Sequence, residues 1–245
     1  FFFQAEDGIR DLVRSRGLGD VYKIQIFQVI RNHEKVDRQI SIGAEIQAQL
    51  LPDKCPTIEG VELAACCRPA FQVGGDYYDF FESNDKSDSV HVICGDATGH
   101  GTAAGMMVSI IKSALNGLPN LPVNEILERL NNIVKKINLG RLRMSLNVAK
   151  IDKNVIELSA AAMPPTYLFN AKSNVCEEIM IEGLPLGGLK NEKFTMLKKN
   201  FQKGDVCRSL DSKGESEIAK LRNSGFSIPD GSEKGAGAAL IHPFG

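Results

Sequence analysis

The stretch from Phe71 to Gly101 constrains this chain more than any other: FQVGGDYYDFF, a polar break, then SVHVICGDATGHG. Asp76 and Asp96 each follow a glycine directly, Gly75 and Gly95. The apolar run Val90, Val92, Ile93, Cys94 predicts a buried strand that ends at Asp96. Gly95, Gly99 and Gly101 predict a loop after it, and a helix begins near Thr102. A carboxylate at a strand end, in a loop that only glycine makes tight, suits metal or phosphate chemistry. The plainer alternative is a strand, turn and helix whose Asp and Thr98 cap the helix. Either half alone fits that alternative, but both halves in this order favour a functional site. The two carboxylates are then expected near one another at one end of the sheets.

The chain around this stretch is long enough, at 245 residues, for one substantial core or two small ones. With 29 Lys and Arg against 30 Asp and Glu, the net charge of −1 lacks the basic excess of a nucleic-acid binder. No apolar run reaches the length of a membrane span and no signal peptide is visible, so a cytoplasmic protein is expected. The six cysteines lack zinc-site spacing, and Cys66 and Cys67 lie in an apolar run, which predicts reduced and mostly buried thiols.

Taken in order, residues 1–23 (FFFQAEDGIRDLVRSRGLGDVYK) fit no domain start and resemble a translated sequencing-adaptor segment; the alternative is a charged N-terminal helix. Residues 24–51 predict an amphipathic helix with Val29, Val36, Ile40 and Leu50 near one face. His33, Gly43 and Gln47 interrupt its seam, and Pro52 and Pro56 follow its end. Strands are predicted over 61–68, 77–81 and 89–95, and a helix over 102–115 with Met106 and Met107 as core filler. The apolar spacing of Val123, Ile126, Leu127, Leu130, Val134 and Ile137 predicts a second helix, with Pro122 suited to its first turn. The period then changes to two, predicting strands over 144–152, 155–160, 166–170, 175–181 and 194–201. Two helices within a run of antiparallel strands give an α+β layered domain.

The pair VGGDYYDFF and GDATGHGTAAGMM resembles the signature of bacterial SpoIIE-type serine phosphatases, in the metal-dependent protein phosphatase (PPM) superfamily. IQAQLLP at 46–52, ACCRPA at 65–70, LSAAAMPPTYLF at 158–169 and GLPLGG at 183–188 agree in the same order. The resemblance implies two stacked antiparallel β-sheets flanked by helices, with metals at one end of the sandwich. It implies an amphipathic linker helix (24–51) joining an upstream sensor and able to form a homodimer, then a phosphatase-like domain over 52–206. Two manganese or magnesium ions are implied, held by hard oxygen ligands about 3.5–4 Å apart. Asp96 would bridge them, while Asp76 and the Ala97 carbonyl would serve the second ion. The substrate implied is a phosphoserine protein, of the anti-sigma-factor-antagonist type, with no nucleic acid involved.

Beside that resemblance, Gly75, Gly95, Gly99 and Gly101 are expected to shape the backbone only. His100 is read as a loop residue rather than a general acid, and Asp79 as a structural hydrogen-bonder. Arg68 either meets phosphate or ends a solvated strand. After Val206 the chain departs from the pattern: the Ser/Thr-Asp-Gly and DDxT segments that would hold the first metal are missing. Asp211 is followed by Ser212, and the Asp230–Gly231 pair comes too late. CRSLDS reads as too polar for a buried strand, so 207–245 is taken as an atypical tail and the C-terminal part of the fold as incomplete. Three readings stand open: a shift of reading frame near Val206, a pseudo-phosphatase that binds phosphoprotein without turnover, and an enzyme using fewer ligands, with only one metal site formed.

Overall fold

A computed structural model describes residues 3–67, 73–82, 89–118, 120–152, 154–210 and 238–243. The chain divides into two compact units, Phe1–Ile42 and Gly43–Gly245. Helix α1 runs Phe3–Ala48 without a break at residue 23. Val29 and Val36, on its expected apolar face, are exposed. Leu50 lies beyond the helix in a turn, where its N–H donates to the Gln47 carbonyl at 2.9 Å.

The second unit holds β1 (Val61–Cys66), β2 (Asp76–Glu82), β3 (Val90–Ala97), α2 (Thr102–Gly117) and α3 (Val123–Ile137). It continues through β4 (Met144–Asp152), β5 (Val155–Ala161), β6 (Thr166–Asn170), β7 (Val175–Ile179), β8 (Leu197–Asn200), β9 (Val206–Leu210) and β10 (Ala238–Pro243). One sheet has the order β1-β10-β9-β6-β7 and the other β2-β3-β4-β5-β8, with every pairing antiparallel. Alternation along the strands divides the second sheet's side chains between two cores. Val92, Cys94, Ile151, Ile156 and Leu158 face the other sheet, against Leu63, Leu168, Ile179 and Cys207. Tyr77, Ile93, Leu146 and Val148 face α2 and α3, against Met107, Ile111, Leu127 and Leu130. Each fully buried Leu, Ile, Val or Met among these contributes about 1.5–3 kcal/mol.

Helix α3 forms where its apolar spacing predicts, with Pro122 at its N-cap and Asn138 in the left-handed conformation at its C-cap. Its buried Asn131 accepts from the Gly187 N–H and donates to the Leu189 carbonyl, both at 2.9 Å, which fixes the GLPLGG turn. Of the methionine pair, Met107 is buried and Met106 is exposed, since consecutive helical residues cannot share a face. The thiols are less buried than expected: Cys94 and Cys207 are buried, Cys55 and Cys67 partly, and Cys176 is exposed on β7, whose first four residues face solvent.

The reading of CRSL as too polar for a buried strand is corrected. β9 is an inner strand, paired with β6 and β10, and β10 pairs with β1. Its polar residues do not prevent burial because they are satisfied: the Ser209 hydroxyl lies 3.0 Å from Asn147 Nδ2 and 3.1 Å from Thr166 Oγ1.

Candidate active site

The β2–β3 register sets Asp76 directly opposite Asp96. The Ala97 N–H donates to the Gly75 carbonyl at 2.9 Å, so the 75/97 pair lies on the hydrogen-bonded register. The 76/96 pair therefore takes the alternate position, where Cα atoms approach to about 4.5 Å and side chains are closer. By strand alternation Asp76 and Asp96 stand on the same face of their sheet as Phe80, Val92 and Cys94. Asp76 is buried and Asp96 partly so. Opposed like charges in such a pair are destabilising, and a cation between them reverses the sign.

Gly75 lets this end of β2 come close to Asp96 and Ala97. A Cβ there would lie 2.5 Å from the Ala97 carbonyl oxygen and 3.0 Å from Asp96 Oδ1. The cradle a methyl group would fill thus lies beside two of the oxygens expected to meet metal, and hard oxygen donors suit magnesium or manganese. As hard oxygen donors, the residues present suit a divalent cation. Among the described residues no three His, Cys, Asp or Glu side chains converge, and Asp211, Ser212 and Asp230 lie outside them.

Other expected residues fall differently. Gly99 and Gly101 have φ of 88° and 74°, left-handed values that suit the loop between β3 and α2. Gly95 is not in that loop but inside β3, where a Cβ would meet Leu146 Cδ1 at 2.5 Å and the Ser145 carbonyl at 2.7 Å. Thr98 does not cap α2, whose N-cap is Gly101 without a side-chain bond. Instead its hydroxyl accepts from the Arg143 N–H at 2.9 Å and sits 3.2 Å from the Arg143 carbonyl, tying the loop to the entry of β4. His100 is exposed. Asp79 is structural, as expected: it accepts from Tyr77 Oη at 2.7 Å, Lys112 Nζ at 2.6 Å and the Phe80 N–H at 2.9 Å. Burial, with Asp79 alongside, drives the Tyr77 phenol far above its usual range. Arg68 lies outside the described residues.

Two groups escaped the sequence reading. Gln47, read there as a flaw in an apolar seam, bonds both backbone polar groups of Gly74. Asn147 donates to Thr166 Oγ1 and Ser209 Oγ between the sheets, and its Oδ1 is buried without a hydrogen-bond partner. Polar residues in otherwise apolar segments were the available signal, but a sequence does not say what they meet.

Two stacked antiparallel sheets with helices on one of them, and a carboxylate pair at one end, define a PP2C-type phosphatase fold. The SiaA-PP2C domain of Pseudomonas aeruginosa is similar with a TM-score of 0.62, covering 87% of this chain and 98% of that domain at 15% identity. The catalytic domain of the serine threonine protein phosphatase PstP, in complex with 2 manganese ions, is similar with a TM-score of 0.56, covering 76% and 99% at 11% identity. The family model of Stage II sporulation protein E (SpoIIE) matches residues 86–208, and the chain belongs to that family. It is also 28% identical over 219 residues to the phosphoserine phosphatase RsbU of Bacillus subtilis (strain 168), covering 87% of this chain and 63% of the RsbU length.

Proposed function

We propose that this chain is a divalent-metal-dependent phosphatase domain that hydrolyses phosphoserine on a small bacterial signalling protein of the anti-sigma-factor-antagonist type. The observation that carries the reading is the Asp76–Asp96 cross-strand pair over the Gly75 cradle. The likeness to RsbU supports phosphoserine as the scissile group. Asp76, Asp96 and the Ala97 carbonyl would hold manganese or magnesium. When bound, such an ion neutralises phosphoryl charge and lowers the pKa of its water towards neutrality. The chain's own contribution is to keep the two carboxylates opposed, to leave room at Gly75, and to hold the loop 98–101 against Arg143. We further propose a cytoplasmic location, an upstream sensor, and a homodimer through residues 24–48, whose exposed Val29 and Val36 support the last point. Among the described residues no helix is long and apolar enough to cross a membrane.

With half of the family's acidic ligands matched, the rate is expected to be low. Losing one charge-stabilising partner costs about 3–4 kcal/mol, or roughly 100- to 1000-fold in rate. A second reading, a pseudo-phosphatase that binds phosphoprotein without turnover, is favoured by the lack of a third converging acidic side chain among the described residues. The deciding experiment is hydrolysis of a phosphoserine protein across a manganese titration, with Asp96→Asn as the control. Manganese-dependent turnover that Asp96→Asn abolishes supports the enzyme. Binding of the phosphoprotein without turnover supports the second reading.

A further inference from the structure

Strand β2 is an edge of its sheet, so the backbone leading into it has an open side. Gly74, two residues before Asp76, is closed there by Gln47. Its N–H donates to Gln47 Oε1 at 3.0 Å, and its carbonyl accepts from Gln47 Nε2 at 2.6 Å. A carboxamide carries the same donor and acceptor as a peptide group. Two bonds to one residue therefore reproduce the exchange that a hydrogen-bonded residue makes with a neighbouring strand. The side chain of Gln47 thus supplies one residue's worth of the strand that β2 lacks.

The surrounding contacts show how much rests on those two bonds. On the inner side, Gly75 is held by the Ala97 N–H. Before it, the Val73 carbonyl accepts from the Gly101 N–H at 3.1 Å. A Cβ on Gly105 of α2 would come 2.7 Å from Val73 Cγ1, so that valine seats directly on the helix backbone. On the Gln47 side, by contrast, lies a cavity of about 360 Å³ lined by Gln47, Gly74, Asp76, Cys67 and Tyr78 among others. Packing does not fill that side.

We infer that Gln47 is a positioning residue of the candidate metal site: its carboxamide pins Gly74, and through Gly75 sets the Asp76 carboxylate against Asp96. This rests on the metal-site reading above, which assigns Asp76 to the ion. The assignment deepens that reading by adding a residue from the end of α1 that touches neither metal nor substrate.

The test compares the full chain with Gln47→Met, which keeps length and bulk but has no amide, and with Gln47→Glu, which keeps the acceptor and loses the N–H donor. Manganese binding is measured by calorimetry, turnover with p-nitrophenyl phosphate across a manganese titration, and backbone hydrogen exchange on the metal-free chain. Gln47→Met is expected to weaken manganese binding at least tenfold, to lower kcat at fixed metal with KM for the ester within twofold, and to recover rate as manganese is raised. Exchange at residues 73–76 is expected to rise at least tenfold while β4 is unchanged. Gln47→Glu is expected to fall between the two. Manganese affinity and exchange at residues 73–76 both within twofold of the parent would overturn the inference. If the parent itself binds no manganese, the metal-site reading fails, and the exchange comparison still decides whether Gln47 sets the segment. A uniform rise in exchange across β3 and β4 would also overturn the inference, showing general loosening instead of local positioning.

Discussion

Asp76 and Asp96 are direct cross-strand neighbours, each on a strand that meets the other antiparallel at the end of a two-sheet sandwich. Two like charges directly opposite each other in a sheet are destabilising. A fold that keeps them together gains when a cation sits between them. Removing one charge is therefore expected to have opposite effects with and without metal. Asp96→Asn should raise the metal-free melting temperature slightly and abolish its increase on adding manganese. A variant that loses stability without metal and still responds to manganese would contradict the pairing argument.

Gly75→Ala tests the cradle. Its methyl group would meet the Ala97 carbonyl oxygen at 2.5 Å, and backbone atoms there cannot rotate away. Overpacking of this kind costs about 1–3 kcal/mol. The expected result is a chain that folds with a lower midpoint in urea and a manganese affinity reduced at least tenfold. Unchanged affinity would show that the Ala97 carbonyl and Asp96 are not metal ligands.

The Asp79–Lys112 pair ties β2 to α2 on the opposite face of the same strand. Asp79 is buried, and Lys112 is partly exposed. Breaking a buried pair by removing one partner costs about 3–5 kcal/mol, and the partial exposure of Lys112 puts the expected value at the lower end. Lys112→Met should therefore lower stability by about 3 kcal/mol in a denaturant titration. A change below about 1 kcal/mol would mean that Tyr77 and the Phe80 N–H suffice for Asp79.

His91 gives the fold a pH dependence. Its ring is fully buried and stacks on Phe81 at 4.4 Å. Burial, then the charge of Lys150, push its pKa from 6.5 down to about 4, against the opposing influence of Leu121, Glu157 and Phe81. The unfolded chain therefore binds the extra proton first. Stability is complete above pH 6.5 and falls as pH drops towards 4, by about 3 kcal/mol from this group. In thermal melts, His91→Phe should flatten the slope between pH 6.5 and 4 that the parent shows. An identical slope in both proteins would place the titration elsewhere.

Much of this architecture is legible in the sequence. The spacing of Val123 to Ile137 gave α3 at its true bounds, and the period of two gave β4 and β6 to the residue, because an amphipathic pattern reports which face is buried. The Gly-Asp repeats pointed to both carboxylates, since glycine before each marks where another backbone comes close. β9 was not legible. CRSL reads as polar, and only Asn147 and Thr166 across the sandwich make Ser209 acceptable there. Thr98 was misread for a similar reason: a hydroxyl before a helix suggests a cap, while its partner, Arg143, stands 45 residues away. Gln47 was invisible as a clamp because its partner, Gly74, lies 27 residues on. Local periodicity reports burial, and long-range polar pairs leave no period.

Whether Asp76 and Asp96 form a divalent-metal site is tested by direct binding, which does not depend on turnover. Manganese is titrated calorimetrically into the full chain, into Asp76→Asn and into Asp96→Asn at neutral pH. The parent is expected to show one binding event, weakened at least tenfold in each variant, with magnesium competing for it. Equal manganese affinity in all three proteins would contradict such a site.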